Sequence, residues 1–378
     1  IKVDTEEFSH GHPSIEWAKK YQTKLFQIKE EMDKVGVVYS LNPWVTVGHI
    51  DRGRDTVQDF PGWQTMVGHD GVQCSSCACP LCPQWRSYIR ELWTLYAQTK
   101  PHVMWVEDDI RTFNHLPVKF GCFCPIHIKL FSQHVGKNID REALVAAIFK
   151  TGTPHAHRTQ FLDMQSEVMT GTAAFLAEVV HNTSPETHMG LMSSGPRNHC
   201  MEGRNWRKFT QALANGRRLY SRAPLGNYNE ESLRGCYFSH DAIKSTRYCM
   251  PSDYIELTEV ENYPYTLYST SATFTFLQMA LTYAYGSNGT TLNLYDHCGT
   301  PMKHNCAFGN LLSEKKPFLN ALANRAQETG IFRGVRLLHH DQSSYHKQLN
   351  SDATFEMLGE DGYSVMEMFE SHGLATTY

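Results

Sequence analysis

Short apolar runs alternate with amphipathic stretches along nearly the whole chain, and this alternation leaves few folds open. Ile1–Val3 reads as the end of a strand. Residues 14–34 place Trp17, Tyr21, Leu25, Ile28 and Met32 at three- and four-residue spacing, a helix for which Ser14 is the N-cap. A strand over 36–47, a helix over 84–98 and a buried strand over 102–106 follow. Helices are predicted over 125–135, 141–149 and 157–181, a strand over 189–193, a helix over 205–213 and a strand from 218. A helix over 234–247, a strand over 254–257, a helix over 271–285 closed by Gly286, a strand over 290–295 and a helix from Pro317 complete the series. Strict alternation with short strands predicts a parallel sheet. Seven strands ending in polar residues fit a (β/α)₈ TIM barrel whose first strand lies upstream of Ile1. The doubly wound alternative lacks a Gly-x-Gly-x-x-Gly turn after any strand. Beyond residue 331 the register restarts, with a strand over 334–338 and a helix over 353–371. Residues 1–330 therefore read as the barrel, and 331–378 as the opening of a second α/β domain.

Composition removes other classes. The 378 residues carry 35 basic against 39 acidic side chains, a net charge of −4. With no Lys/Arg block to neutralise phosphates, the chain is a poor nucleic-acid binder. No run approaches the ~20 apolar residues of a membrane span. The balance is that of a cytoplasmic protein, and no secretory signal is visible.

The 11 cysteines are unevenly placed, six of them between Cys74 and Cys124. They form the runs Cys74-Ser-Ser-Cys77-Ala-Cys79-Pro-Leu-Cys82, read as a loop, and Cys122-Phe-Cys124-Pro-Ile-His127. Short Cys-x-Cys and Cys-x-x-Cys/His steps let thiolates converge on one tetrahedral Zn²⁺. A structural zinc in a reducing compartment is expected, against the plainer reading of free surface thiols. Cys200, Cys236, Cys249, Cys298 and Cys306 read as scattered buried thiols.

Three strands end in acids, where barrel enzymes keep their chemistry: Trp105-Val-Glu107-Asp108-Asp109, Thr258-Glu259-Val-Glu261 and, more weakly, Asp296. Such groups at the end of an apolar strand lose solvation unless paired or used. Two facing carboxylates are what glycoside hydrolysis needs. The aromatics Trp44, Trp63, Trp105, Tyr228, Tyr263 and Tyr265 crowd these segments, and flat rings suit sugar faces. The competing reading is that the acids cap helices or pair with Arg111 and Arg222.

Cys79-Pro-Leu-Cys-Pro83, the helix, Trp105-Val-Glu-Asp-Asp109 and Cys122-Phe-Cys-Pro-Ile-His127 together resemble the β-galactosidases of glycoside hydrolase family 42, within the clan of retaining (β/α)₈ glycosidases. Glu261-Asn-Tyr-Pro264 resembles the family's Glu-x-x-Pro at strand seven. The resemblance spans roughly residues 1–330. It implies Cys79, Cys122, Cys124 and His127 as ligands of a structural zinc, with Cys74, Cys77 and Cys82 as competitors, and no organic cofactor. It also implies a carbohydrate substrate and a homo-oligomer, the family often forming trimers. Where the family carries Asn-Glu at strand four, this chain has Glu107-Asp108-Asp109, which points toward a neighbouring family such as a β-mannosidase type.

Side chains alternate along a strand, so Glu107 and Asp109 share a face, as do Glu259 and Glu261. An ungapped match favours Asp109 as acid/base, and reach favours Glu107, which we take. The proline spacing favours Glu261 as nucleophile, with Glu259 as the alternative. Trp105, Asn114, His115, Arg222, Asn227 and Tyr228 are candidate sugar contacts. Two rival functions are a zinc-dependent barrel hydrolase, prompted by His155-Ala-His157, and a sugar-binding barrel without catalysis.

Overall fold

A computed structural model describes residues 1–4, 11–51, 56–225, 228, 230, 231, 233, 236–296, 299–329, 333–360 and 363–378. The chain is mixed α/β and divides into two compact units. One comprises Ile1–Leu191, Arg197–Leu219 and His340–Glu360; the other comprises Met192–Pro196, Tyr220–His339 and Asp361–Tyr378.

In the first unit β1 (Lys2–Val3) is followed by α1 (Ile15–Lys34), which the Ser14 hydroxyl caps by accepting the Trp17 N–H at 3.2 Å. The predicted apolar stripe of α1 is only partly used. Leu25 and Ala18 are buried, whereas Trp17 and Ile28 are exposed. β2 (Asn42–Pro43) pairs in parallel with β1, and a parallel bridge from Leu41 to Met104 joins that edge to β5 (Val103–Val106). β5 in turn pairs in parallel with β8 (His188–Met192). Sequential strands thus lie side by side in the order a (β/α) barrel uses.

The predicted strand over 36–47 shrinks to this short edge. After Pro43 the chain is drawn aside, the Thr46 and Gly48 N–H groups donating to Asp109. Between α2 (Thr56–Asp59) and α3 (Pro83–Ala97), the cysteine-rich segment is an antiparallel hairpin, β3 (Thr65–Val67) with β4 (Gln73–Ala78), and not the expected loop. A second hairpin, β6 (Phe113–His115) with β7 (Val118–Phe120), follows β5. Next come α4 (Pro125–Val135), α5 (Arg141–Ile148), α6 (Ala156–Thr183) and α7 (Trp206–Ala214). The His-x-His pair proves to be a helix cap: His155 Nδ1 accepts the His157 N–H at 3.0 Å. A core of Phe113, Phe120, Phe123, Phe131 and Phe161 is closed by Leu349 and Leu358.

In the second unit β9 (Leu219–Ala223), β10 (Tyr254–Glu261) and β11 (Gly289–Asn293) lie in that order, with α8 (Cys236–Cys249) and α9 (Ala272–Ala284) between them. Gly286 ends α9 with φ of +76°, the left-handed turn expected of it. α10 (Ala307–Thr329) starts ten residues before Pro317, because Phe308 and Leu311 pack into the core with Ile243, Val260 and Met279. β12 (Val335–Arg336), α11 (Tyr363–Ser371) and β13 (Thr376–Thr377) complete the unit, β12 pairing in parallel with β13. The helix expected over 353–371 is a single turn, Phe355–Leu358, followed by α11. A closed eight-stranded barrel is not among the described strand pairings. No helix among the described residues is long and apolar enough to cross a membrane.

Candidate active site and cysteine–histidine corner

β5 is four buried apolar residues, and its chain leaves the sheet into three consecutive acids that meet three different environments. Glu107 is buried and accepts a hydrogen bond from Asn42 Nδ2 at 2.7 Å. Asp108 is only partly covered: His49 Nε2 lies 3.1 Å from Oδ1 and Arg111 Nη1 lies 3.0 Å from Oδ2. Asp109 is fully buried, and its Oδ2 accepts the N–H of Thr46 at 2.6 Å and of Gly48 at 2.8 Å. Gly48 has φ of +107°, and a Cβ there would sit 3.2 Å from Cys77 Sγ, so this close approach of the loop requires glycine.

Beneath this loop is a buried ionic cluster that the spacing of residues did not reveal. Glu202 accepts the Thr112 N–H at 2.7 Å and hydroxyl at 2.9 Å, with His199 Nδ1 at 2.8 Å and Arg204 Nη2 at 2.7 Å. Burial alone would raise the Glu202 pKa, but Arg204 and the donors hold it down at about 2. Burial and the Arg204 charge push His199 down to about 4.

Of the sugar contacts expected in this unit, Trp105 packs over Gly190 of β8, where a Cβ would come within 2.4 Å of its ring. Asn114 is the exposed middle residue of β6. His115 is wholly buried, with Nδ1 3.0 Å from the His49 carbonyl and Nε2 2.7 Å from that of Arg111. Burial, then the Arg111 charge, lower its pKa to about 4, so the neutral ring braces backbone.

At the end of β10, Glu259 and Glu261 are both buried. Arg222 of β9 ion-pairs with Glu259, and Tyr228 Oη donates to it at 2.9 Å. Glu261 Oε1 accepts from Tyr265 Oη at 2.7 Å and from Asn293 Nδ2 at 2.8 Å, Asn293 standing opposite it on β11. Burial raises the Glu259 pKa to about 8; Arg222 opposes the rise and the neighbouring Glu261 adds to it. Tyr228, Tyr263 and Tyr265 form a chain of rings, with centroids 6.3 and 5.4 Å apart, and Tyr263 is half exposed. Asn227 lies outside the described residues, and Asp296 is half-buried after β11.

The four residues implied as metal ligands do converge. Cys79 Sγ is 3.6 Å from Cys124 Sγ, and His127 Nδ1 is 3.4 Å from each; with Cys122 the four donor atoms lie within 4.8 Å of one another, all buried. Cys124 is the N-cap of α4 and His127 falls in its first turn, because Pro125 starts the helix. Bonds of ~2.3 Å to sulfur and ~2.0–2.1 Å to nitrogen at tetrahedral angles give edges of about 3.8 and 3.6 Å, so the donor set fits zinc. Burial opposes ionisation of Cys122, yet hydrogen bonds from Cys124 and Cys79 hold its thiol well below the ordinary value. His127 rises to about 10 despite burial, because it faces the Cys122 thiolate. Cys74 and Cys82 are engaged elsewhere, accepting the N–H of Cys77 at 3.3 Å and of Gln64 at 3.2 Å. Among the scattered cysteines, Cys200 and Cys249 are buried, but Cys306 is exposed where a buried thiol was expected. It sits just ahead of α10, in a segment where Met302, Lys303 and His304 are also exposed. The side chains of Cys236 and Cys298 lie outside the described residues.

No family model matches the chain, and no curated protein matches its sequence. Solved structures do. Gan42B, a GH42 β-galactosidase from G. stearothermophilus, is 12% identical with a TM-score of 0.60 over 100% of this chain and 64% of its own. The cold-adapted β-galactosidase of Rahnella sp. R3 is 12% identical with a TM-score of 0.58, over 93% of this chain and 56% of its own. The β-galactosidase of the psychrophilic Marinomonas ef1 is 12% identical with a TM-score of 0.57, over 93% and 61%. The chain therefore spans about three-fifths of the length of these proteins. At this identity the likeness establishes that the chain shares the fold of these β-galactosidases, and the chemistry rests on its own residues.

Proposed function

We propose that the chain is the catalytic part of a retaining exo-β-glycosidase that removes terminal β-galactosyl or β-mannosyl groups by double displacement. The observation that carries this reading is the placement of buried, hydrogen-bonded carboxylates at the ends of β5 and β10, in a fold shared with β-galactosidases. Glu107 is the acid/base: Asn42 orients one oxygen, and its carboxyl protonates the departing glycosidic oxygen and later deprotonates water. Asp109, with Oδ2 committed to two backbone N–H groups, positions the loop beside it. Glu261 is the nucleophile. Glu259 beside it has its pKa raised by burial to about 8, so the buried pair retains a proton near neutral pH. The ring chain, with half-exposed Tyr263 at its centre, offers a stacking face for the sugar.

Cys79, Cys122, Cys124 and His127 would hold a structural zinc, which ties the turn before α3 to the start of α4. The reading requires carboxyl groups ~5–5.5 Å apart for retention. Its test is a panel of nitrophenyl β-glycosides, then trapping with the matching 2-deoxy-2-fluoro glycoside and sequencing of the labelled peptide. The label is expected on Glu261; a label on Glu259 exchanges the two roles, and no turnover of any glycoside with no label sinks the assignment.

A further inference from the structure

We propose that the end of β5 also binds a divalent transition-metal cation through His49, Glu107 and Asp108, and that occupation of this site stops glycoside hydrolysis. The three donors come from two separate stretches of chain, and one ligand atom of each lies within 4.8 Å of the others. The imidazole and two carboxylates are a mixed nitrogen and oxygen set, the chemistry that suits zinc, cobalt or nickel better than calcium or magnesium. The orientations suit a cation as well. Arg111 engages Asp108 through Oδ2, which leaves Oδ1 turned toward His49 Nε2 at 3.1 Å. Donors bound at ~2.0–2.2 Å and roughly a right angle apart stand about 2.9–3.1 Å from each other, so this spacing serves a metal as well as a hydrogen bond. Asn42 fixes the third ligand by holding Glu107 through Oε1. His49 and Asp108 are partly exposed, with side-chain exposures of 14% and 27%, so an ion has a route in.

A cation on Glu107 takes the lone pair that must accept and return the proton, so bound metal and acid/base catalysis exclude one another. The inhibitory half of this inference rests on the glycosidase reading; the binding half does not.

The test is calorimetric titration of the zinc-containing protein, as purified, with Co²⁺ at neutral pH. His49→Gln and Asp108→Asn are compared with the parent, and thiolate-to-cobalt absorption reports any exchange into the Cys79 corner. One Co²⁺ per chain is expected to bind the parent without that absorption, about tenfold or more weakly in each variant, with unchanged zinc content showing that the variants are folded. Turnover of the best nitrophenyl glycoside should fall in step with occupancy and return on chelation. Absence of binding to the parent up to millimolar Co²⁺, or undiminished binding to both variants, overturns the site. Binding that disappears in the variants but leaves turnover untouched keeps the cation site, and removes both the inhibition and Glu107 as acid/base.

Discussion

The ends of β5 and β10 carry the same sequence pattern, two acids one residue apart; Glu259 and Glu261 share a face of β10, whereas Glu107 and Asp109 follow β5 in a turn and not on the shared strand face expected, and the two pairs are held in opposite ways. After β5 the pair is separated by its partners. Asp109 is locked by the backbone of 46–48, while Glu107 is held by a neutral amide from Asn42. At β10 the two acids stay coupled: burial makes a second negative charge unfavourable, and Arg222, Tyr228, Tyr265 and Asn293 divide between them. The first arrangement gives one carboxyl able to exchange protons beside one that shapes a loop. The second gives a pair sharing one proton. Strand spacing creates the β10 pair and a turn after β5 creates the other, and groups arriving from other elements decide what each does.

Three experiments press on this contrast. The largest effect is expected from Glu107→Gln, which should lower kcat/KM for unactivated glycosides by about 10²–10⁴. Glycosides with good leaving groups should be spared in the first step and rescued in the second by azide. Equal loss on every substrate would make Glu107 a structural acid like Asp109. Next is Asp109→Ala, which strands the buried N–H groups of Thr46 and Gly48 and should destabilise the fold by roughly 2–5 kcal/mol in denaturant unfolding. Asp109→Asn keeps an acceptor and should lose less; a neutral result for both variants would show that the loop does not need this anchor. The smallest effect is in the pH dependence of stability. Glu259 binds its proton more tightly in the folded state, with a pKa of about 8 against 4.5. Its stabilising contribution is therefore complete below about pH 4.5 and is lost as pH rises toward 8. Melting temperatures of Glu259→Gln measured from pH 4.5 to 8 should fall less steeply than those of the parent. Parallel curves would mean that Glu259 does not bind its proton more tightly in the folded state.

Much of the scaffold was legible in the chain. The helices at 15–34, 83–97, 156–183 and 272–284 follow apolar periodicity and caps such as Ser14, which act within one turn. The strand expected over 36–47 fell short because its extended form competes with the pull of Asp109, more than 60 residues away in sequence. The start of α10 was misplaced because proline is a strong local signal, and burial of Phe308 and Leu311 overrides it. Around the sites, short spacings marked the two cysteine runs, and the family resemblance implied Cys79 over Cys74, Cys77 and Cys82 as the partner of Cys122, Cys124 and His127, the four that converge. The partners Asn42, His49, Glu202 and Asn293 carried no such signal. Each is an ordinary polar residue until the fold brings it to its charged partner.

What the sequence alone determined is therefore what acts over a few residues: strand and helix periods, the shared face of Glu259 with Glu261, and the placing of Cys124 and His127 in one helical turn. Tertiary structure alone decided which of those acids is anchored, which is paired and which carries a raised pKa. Ionisation depends on desolvation and on charges a few ångströms away, and those distances are set by contacts between segments far apart in the chain.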